Sequence, residues 1–231
     1  MTTSWLILMV GSYLLGSVPA SFLIAKARGI DLRKHGTHQV GGGNVWRTTS
    51  RKLGAFVIIF DFFKGIVMIT VAYRMGFDPT LQMAVGLAVI IGHNWPVFLK
   101  FHGGRGIATA GGIIVFMPII NPITFWGAVF FAVFLFGGLI LFRQTPVAVL
   151  CGVAVQPVIT AVMMEPVALS LLYLALTLVI IVKRLTAQPS TETWHTGLGK
   201  VLLNRLLYDR DISDRKAWVS RRHEDKKEPI S

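Results

Sequence analysis

The feature that most constrains this chain is the return, again and again, of apolar runs about 20 residues long, which hold one of its 23 lysines and arginines, the rest lying in the gaps between the runs and after the last of them. A run of that length crosses the hydrocarbon core of a bilayer as an α-helix, where the helix satisfies its own backbone polar groups. The runs predict spans at 1–25, 53–73, 80–99, 107–120, 123–142, 146–163 and 167–182. Composition agrees, since 15% of the residues are charged against about a quarter in a soluble domain. The net charge of +12 raises nucleic acid as a partner. The cations sit in the gaps between apolar runs, however, as cytoplasmic membrane loops do, and nucleic acid is set aside. The expected fold is an all-α polytopic membrane protein, a compact bundle of about seven transmembrane helices. Residues 1–185 form the membrane domain and residues 186–231 a cytoplasmic tail. The lone Cys151 lies inside an apolar run and cannot form an internal disulfide.

Charge sets the expected orientation. The gap from Lys26 to Lys52 holds Lys26, Arg28, Arg33, Lys34, Arg47, Arg51 and Lys52 against a single acid, Asp31, so it is read as cytoplasmic. Seven alternating spans then put Lys100, Arg105, Arg143, Lys183 and Arg184 on the same side, with Arg74, Asp78 and Glu165 opposite. The N-terminus is expected outside and the C-terminus inside. The first residues lack the positive region of a secretory signal, so the first span is expected to be retained. Pro19 interrupts it, in a Gly16-Ser17-Val18-Pro19 run read as a kink for close helix packing. In the tail, Leu198, Val201, Leu202, Leu203, Leu206 and Leu207 make an apolar side against polar Lys200, Asn204 and Arg205, which predicts an amphipathic helix lying on the membrane. Ser213 is placed to cap a second short helix around Trp218, and residues 223–231 read as disordered.

Two gaps concentrate polar chemistry. The stretch from Gly92 to Thr109 carries His93, Lys100, Gly103, Gly104 and Arg105. Glycines admit close backbone approach to a ligand, and arginine offers a planar fork for phosphate or carboxylate. A helix beginning at Ile107 aims its free N–H groups at the same place. This is an anion site, or else a plain loop whose cations mark the cytoplasmic side. The stretch from Gly36 to Arg47 holds Gly41-Gly42-Gly43, which can fold into a backbone nest for an anion, with Thr37, Asn44 and Arg47 as further donors. The alternatives are a flexible linker or a contact for lipid headgroups. Asp61 and Lys64 lie three apart on one face of the second span. Ionisable groups there face the bundle interior, either as a packing pair or, for Lys64, as an aid to a phosphate.

These junctions resemble the bacterial acyl-phosphate:glycerol-3-phosphate acyltransferases of the PlsY type. Gly92-His93-Asn94-Trp95-Pro96-Val97-Phe98-Leu99-Lys100-Phe101 with Gly103-Gly104-Arg105-Gly106-Ile107-Ala108-Thr109 is similar to that family's second motif almost throughout. Gly16-Ser17-Val18-Pro19 resembles its first-helix signature, and Asp61-Phe62-Phe63-Lys64-Gly65 its acidic–lysine–glycine element. The resemblance implies a seven-helix fold with a cytoplasm-facing site, no metal and no cofactor. It implies transfer of an acyl group from acyl phosphate to the sn-1 hydroxyl of glycerol 3-phosphate, giving lysophosphatidic acid in phospholipid biosynthesis at the bacterial inner membrane. Membrane lipids and an enzyme that makes acyl phosphate are the implied partners. In this scheme Arg47 and Arg105 bind phosphate, with Lys64 and the backbones of Gly41, Gly103 and Gly104. Thr37 and Asn44 meet substrate oxygens, and His93 acts in the site or simply bonds a helix-end carbonyl. Arg47 and Arg105 are expected to converge.

The chain departs from the family pattern in two places. The family's first loop reads Gly-Ser-Gly-Asn-x-Gly-Ala-Thr-Asn, followed by arginine. Thr37 replaces the serine and keeps a hydroxyl, while His38, Gln39, Gly42 and Gly43 differ. His38 disrupts most if the family's glycine has positive φ. Near the last span, Ile181 stands where an asparagine is expected, and Asn204 is a candidate displaced equivalent. One lost hydrogen bond to a charged group is worth about 1.5–3 kcal/mol, which slows catalysis by roughly ten- to a hundredfold. The competing functions are an impaired homologue that binds lipid phosphates or a partner acyltransferase, and a small-anion transporter. The sequence lacks the symmetric halves that transporters commonly show.

Overall fold

The computed structural model describes residues 2–141, 145–186 and 197–220. The predicted turn at Arg143-Gln144 and the predicted disordered end from His223 to Ser231 lie outside the described residues. Among the described residues the structure is helical, with four helices long and apolar enough to cross a membrane and three shorter apolar ones. The first long one is α1 (Thr2–Ser17) continued by α2 (Ala20–Lys26), broken at Val18-Pro19 as the proline dictates. A short helix, α3 (Gly42–Thr48), lies in the first loop before α4 (Arg51–Arg74). Next come α5 (Pro79–Asn94) and the 3-10 turn Val97–Leu99. The shorter apolar helices are α6 (Ile107–Ile120), α7 (Trp126–Ile140) and the broken pair α8 (Pro146–Ala154) and α9 (Gln156–Val162). The fourth long helix is α10 (Val167–Leu185), and the tail adds α11 (Leu198–Tyr208) and α12 (Arg215–Ser220).

The surface is that of a protein dissolved in lipid. On α4, Phe56, Ile59, Phe63 and Val67 are exposed while Asp61 and Lys64 are buried, the reverse of a soluble helix. The interior is closed by small residues. A Cβ on Gly16 would stand 2.1 Å from the carbonyl oxygen of Val89, and one on Gly92 2.1 Å from that of Tyr13, so α1 and α5 pack backbone to backbone. Gly112 of α6 is pressed in the same way against the carbonyl of Phe62 on α4. Around these contacts Ile69, Met83, Ile90, Ile113, Met117, Leu176 and Ile180 form the main core. At the end of the bundle beside the Asn121 turn, Gln82 and Asn121 satisfy each other at 3.1 and 2.7 Å, which lets two buried amides sit in an apolar surrounding.

The tail helix α11 forms as expected, but it packs onto the bundle. Val201 and Arg205 are buried. Arg184 donates to the carbonyls of Leu206 (2.8 Å) and Pro146 (2.7 Å), and Arg205 donates to that of Leu185 (2.8 Å) and pairs with Asp211 at 2.6 Å. The short helix α12 is capped by Asp214, whose carboxylate accepts from the N–H groups of Lys216 and Ala217. The expected cap, Ser213, is one residue too early.

Candidate functional site

The first loop is organised by Asn44. Its Oδ1 accepts from the N–H of Thr37 (3.0 Å), and its Nδ2 donates to the carbonyls of Leu32 (3.2 Å), His35 (3.0 Å) and Gln39 (3.0 Å). Every strong polar group of that side chain therefore holds loop backbone, and Asn44 sits behind Thr37. Asp31 is bound by Arg33 through Nε (3.0 Å) and Nη2 (2.8 Å), bonds that hold its carboxyl at about 2. The glycine run does not form the expected free nest. Gly42 and Gly43 start α3, and Gly42 faces Ile58 and the carbonyl of Gly54 so closely that no side chain fits. Gly41 precedes the helix in extended conformation, with open space where a Cβ would stand. His38 has φ 57°, so the position that the resemblance assigns to glycine does take up the left-handed region.

The end of α5 carries a buried polar hub. Lys64 reaches Asp61 Oδ1 at 2.8 Å, the carbonyl of Gly16 at 3.2 Å and His93 Nδ1 at 2.6 Å. An ammonium has three donors, and these three partners match them. Lysine as donor leaves Nδ1 of His93 as acceptor, which assigns the ring proton to Nε2. Nε2 lies against Gly104, where a Cβ would stand 2.2 Å away, and the carbonyl of Val40 closes the other side. Gly104 donates its own N–H to the carbonyl of His93 at 3.1 Å, and a Cβ on Gly103 would strike that same carbonyl. Both glycines are thus required by close packing of the second motif on α5 and on the first loop. A small recess of ≈ 10 Å³ opens beside the hub, bordered by Gly16, Pro19, Asp61, His93, Gly103 and Gly104.

Arg105 leaves this packed segment toward the tail. Its Nη1 donates to the carbonyl of Lys183 at 3.0 Å, and its Nε lies 2.8 Å from Asp209 Oδ1. The Lys183 ammonium in turn lies over the Trp95 ring, 5.2 Å from its centroid. Beyond Asp209 a cavity of ≈ 330 Å³ opens, lined by Thr37, Gln39, Arg47, Tyr208, Asp209 and Arg210 among others. The structure therefore brings Thr37 and Arg47 to one cavity and places Arg105 a single carboxylate away from it. Lys64, His93, Gly103 and Gly104 form the adjoining hub, and Asn44 and Gly41 shape the loop. The candidate Asn204 donates to the carbonyl of Asp211 at 3.0 Å, inside the tail.

Sequence reasoning missed the tail's share of this wall. Tyr208, Asp209, Arg210 and Trp218 line the cavity, whereas the apolar side of α11 pointed to a membrane surface. The run of alternating charge Asp209-Arg210-Asp211, directly after Tyr208 at the end of an amphipathic helix, was the available signal. Chemically the assembled groups are guanidinium, ammonium and hydroxyl donors, which suit a phosphate ester better than a neutral ligand. Among the described residues, no three His, Cys, Asp or Glu side chains are grouped to hold a metal ion.

Comparison with known proteins gives this geometry its lineage. A family described as glycerol-3-phosphate acyltransferase matches residues 6–188. Glycerol-3-phosphate acyltransferase 5 of Dehalococcoides mccartyi is 36% identical over 230 residues, covering 96% of this chain and 95% of that relative. The crystal structure of PlsY, an integral membrane glycerol 3-phosphate acyltransferase, in its glycerol 3-phosphate form superposes with a TM-score of 0.70 at 32% identity, covering 78% of this chain and 88% of that one. Its lysophosphatidic acid form gives a TM-score of 0.69 at 29% identity, covering 89% and 98%. By the match over residues 6–188, and by the agreement of sequence and fold with these relatives, the chain belongs to the glycerol-3-phosphate acyltransferase family.

Proposed function

We propose that this protein transfers an acyl group from acyl phosphate to the sn-1 hydroxyl of glycerol 3-phosphate, releasing inorganic phosphate and lysophosphatidic acid. The observation that carries the reading is the meeting of the two arginine-bearing motifs. Arg47 and Thr37 line one cavity, and Arg105 pairs with an acid on its wall. Acyl phosphate is a mixed anhydride with a reactive carbonyl. The work left to the protein is to hold two anionic substrates together and to stabilise the oxyanion as it forms. The acceptor hydroxyl oxygen attacks the carbonyl carbon, the bond to phosphate breaks, and the hydroxyl proton passes to a phosphate oxygen. Arg47 and Arg105 bind phosphate and Thr37 meets a substrate oxygen. Asn44 and Gly41 fix the loop. Lys64 and His93 hold Gly103 and Gly104 in place, and through them Arg105.

The acyl chain stays in the bilayer between helices, and the site faces the cytoplasm of a bacterial cell, where an acyl-phosphate-producing enzyme supplies the donor. The membrane domain is residues 1–185, and residues 186–231 are the cytoplasmic tail. The test is a transfer assay on the purified protein with glycerol 3-phosphate and either acyl phosphate or acyl-CoA. Lysophosphatidic acid and phosphate should appear with acyl phosphate only. Product from acyl-CoA at an equal rate, or none from either donor, overturns the proposal.

A further inference from the structure

The family match ends at residue 188, yet a residue beyond it stands in the reaction site. Asp209 follows α11 with φ 55°, and its carboxylate lies 2.8 Å from Arg105 Nε. The cavity lining includes Asp209 and leaves Arg105 out, so the acid stands between this guanidinium and the space a substrate would enter. Among the described residues, neither Arg105 Nε nor Asp209 Oδ1 has a hydrogen-bond partner. The pair is thus a charge contact without a directed bond, which an anion of better geometry can replace. The need for a counter-charge is local. Lys183 and Arg184 both repel Arg105 at this end of the bundle, and the other nearby tail acid, Asp211, is taken by Arg205.

The contact joins a loop residue that departs from the family pattern to a tail residue beyond the end of the family match. Gln39, which stands where the family's loop has asparagine, donates through Nε2 to the carbonyl of Asp209 at 3.1 Å and reaches its Oδ2 at 3.5 Å. On the other side the tail is anchored by Arg184 and Arg205 through the carbonyls of Leu206 and Leu185. A departure in the first loop and an extension beyond the family core meet at one residue.

We propose that Asp209 is an internal counter-anion of the phosphate site: it occupies Arg105 while the site is empty and is displaced by the phosphate of an arriving substrate, so that the tail sets the site's affinity. This rests on the assignment of Arg105 to a phosphate made above. The step is an exchange of one ion pair for another, with no covalent change. It also gives selectivity, because a phosphate dianion competes with a carboxylate better than a singly charged ligand does.

The experiment compares full-length wild type with Asp209→Asn, which keeps the shape and removes the charge, and with Gln39→Ala, which leaves the acid and removes its anchor. Binding of inorganic phosphate is read by calorimetry, and KM for glycerol 3-phosphate in the transfer assay. Thermal unfolding checks that each variant is folded. Both variants are expected to bind phosphate tighter by roughly three- to tenfold, the competition expected of a partly buried ion pair, with a fall in KM larger than any change in kcat. Weaker or unchanged phosphate binding in Asp209→Asn overturns the proposal, since Asp209 would then orient Arg105 or stand aside. Calorimetry separates the two claims: if wild type transfers no acyl group, the proposed function fails, while the phosphate titration still decides the role of Asp209.

Discussion

At the scale of the residue, the two arginines and His38 carry the consequences. Arg105 donates to the carbonyl of Lys183, which fixes one edge of its guanidinium, and keeps a charge contact with Asp209. Arg105→Ala removes a charge-assisted contact of about 1.5–3 kcal/mol, and turnover should fall by roughly ten- to a hundredfold or more. Arg105→Lys should be milder, since lysine serves phosphate as a point charge but loses the fork. Steady-state kinetics on folded variants measures both. His38 is a different case. Its left-handed backbone costs a side-chain-bearing residue about 1–2 kcal/mol, partly offset by glycine's greater freedom in the unfolded chain. His38→Gly should therefore stabilise the protein by about 0.5–1 kcal/mol and bring the first loop closer to the family pattern. A raised unfolding midpoint with faster turnover is expected, and a lowered midpoint would show that the imidazole's contacts outweigh the backbone strain.

At the scale of the element, the second motif works as a packed wedge between α5 and the first loop. Gly104→Ala places a Cβ 2.2 Å from the His93 ring and 2.7 Å from the carbonyl of Val40, and backbone cannot give way cheaply. Overpacking of this kind costs about 1–3 kcal/mol. Gly41→Ala, whose Cβ meets open space in extended backbone, should leave thermal unfolding unchanged. Equal effects from the two would contradict the wedge. Asp61→Ala leaves the Lys64 ammonium without its carboxylate in the bundle, and loss of one partner of a buried pair costs about 3–5 kcal/mol. The i, i+3 spacing made this pair legible in the sequence, and the apolar run made α6 legible to its bounds, Ile107–Ile120. The start of α3 at the glycine run was not legible. Consecutive glycines favour a loop locally; here the N–H groups of Asn44 and Val45 bond the carbonyl of Gly41 while Gly42 packs closely on α4. The seat of α11 was hidden for a related reason. An apolar stripe tells that a helix needs covering but not what covers it, and here the bonds from Arg184 and Arg205 settle the matter.

At the scale of the whole molecule, the recurring apolar runs made the membrane class legible from the outset, and the bundle places the basic motifs of the first loop, the second motif and the end of α10 together. The expected orientation has the N-terminus outside and the tail inside. It is checked by labelling single cysteines at Thr3 and Ser220 in intact cells, in a background with the exposed Cys151 replaced by serine. Opposite accessibility is expected, and labelling of both from one side contradicts a chain of seven spans. The central claim is that two motifs distant in sequence form one phosphate site. It is tested most directly by calorimetric titration of glycerol 3-phosphate into wild type, Arg47→Ala and Arg105→Ala, each shown to be folded by thermal unfolding. Each variant is predicted to bind at least about tenfold more weakly, in line with a lost charge-assisted contact, while wild-type affinity in both would contradict the account.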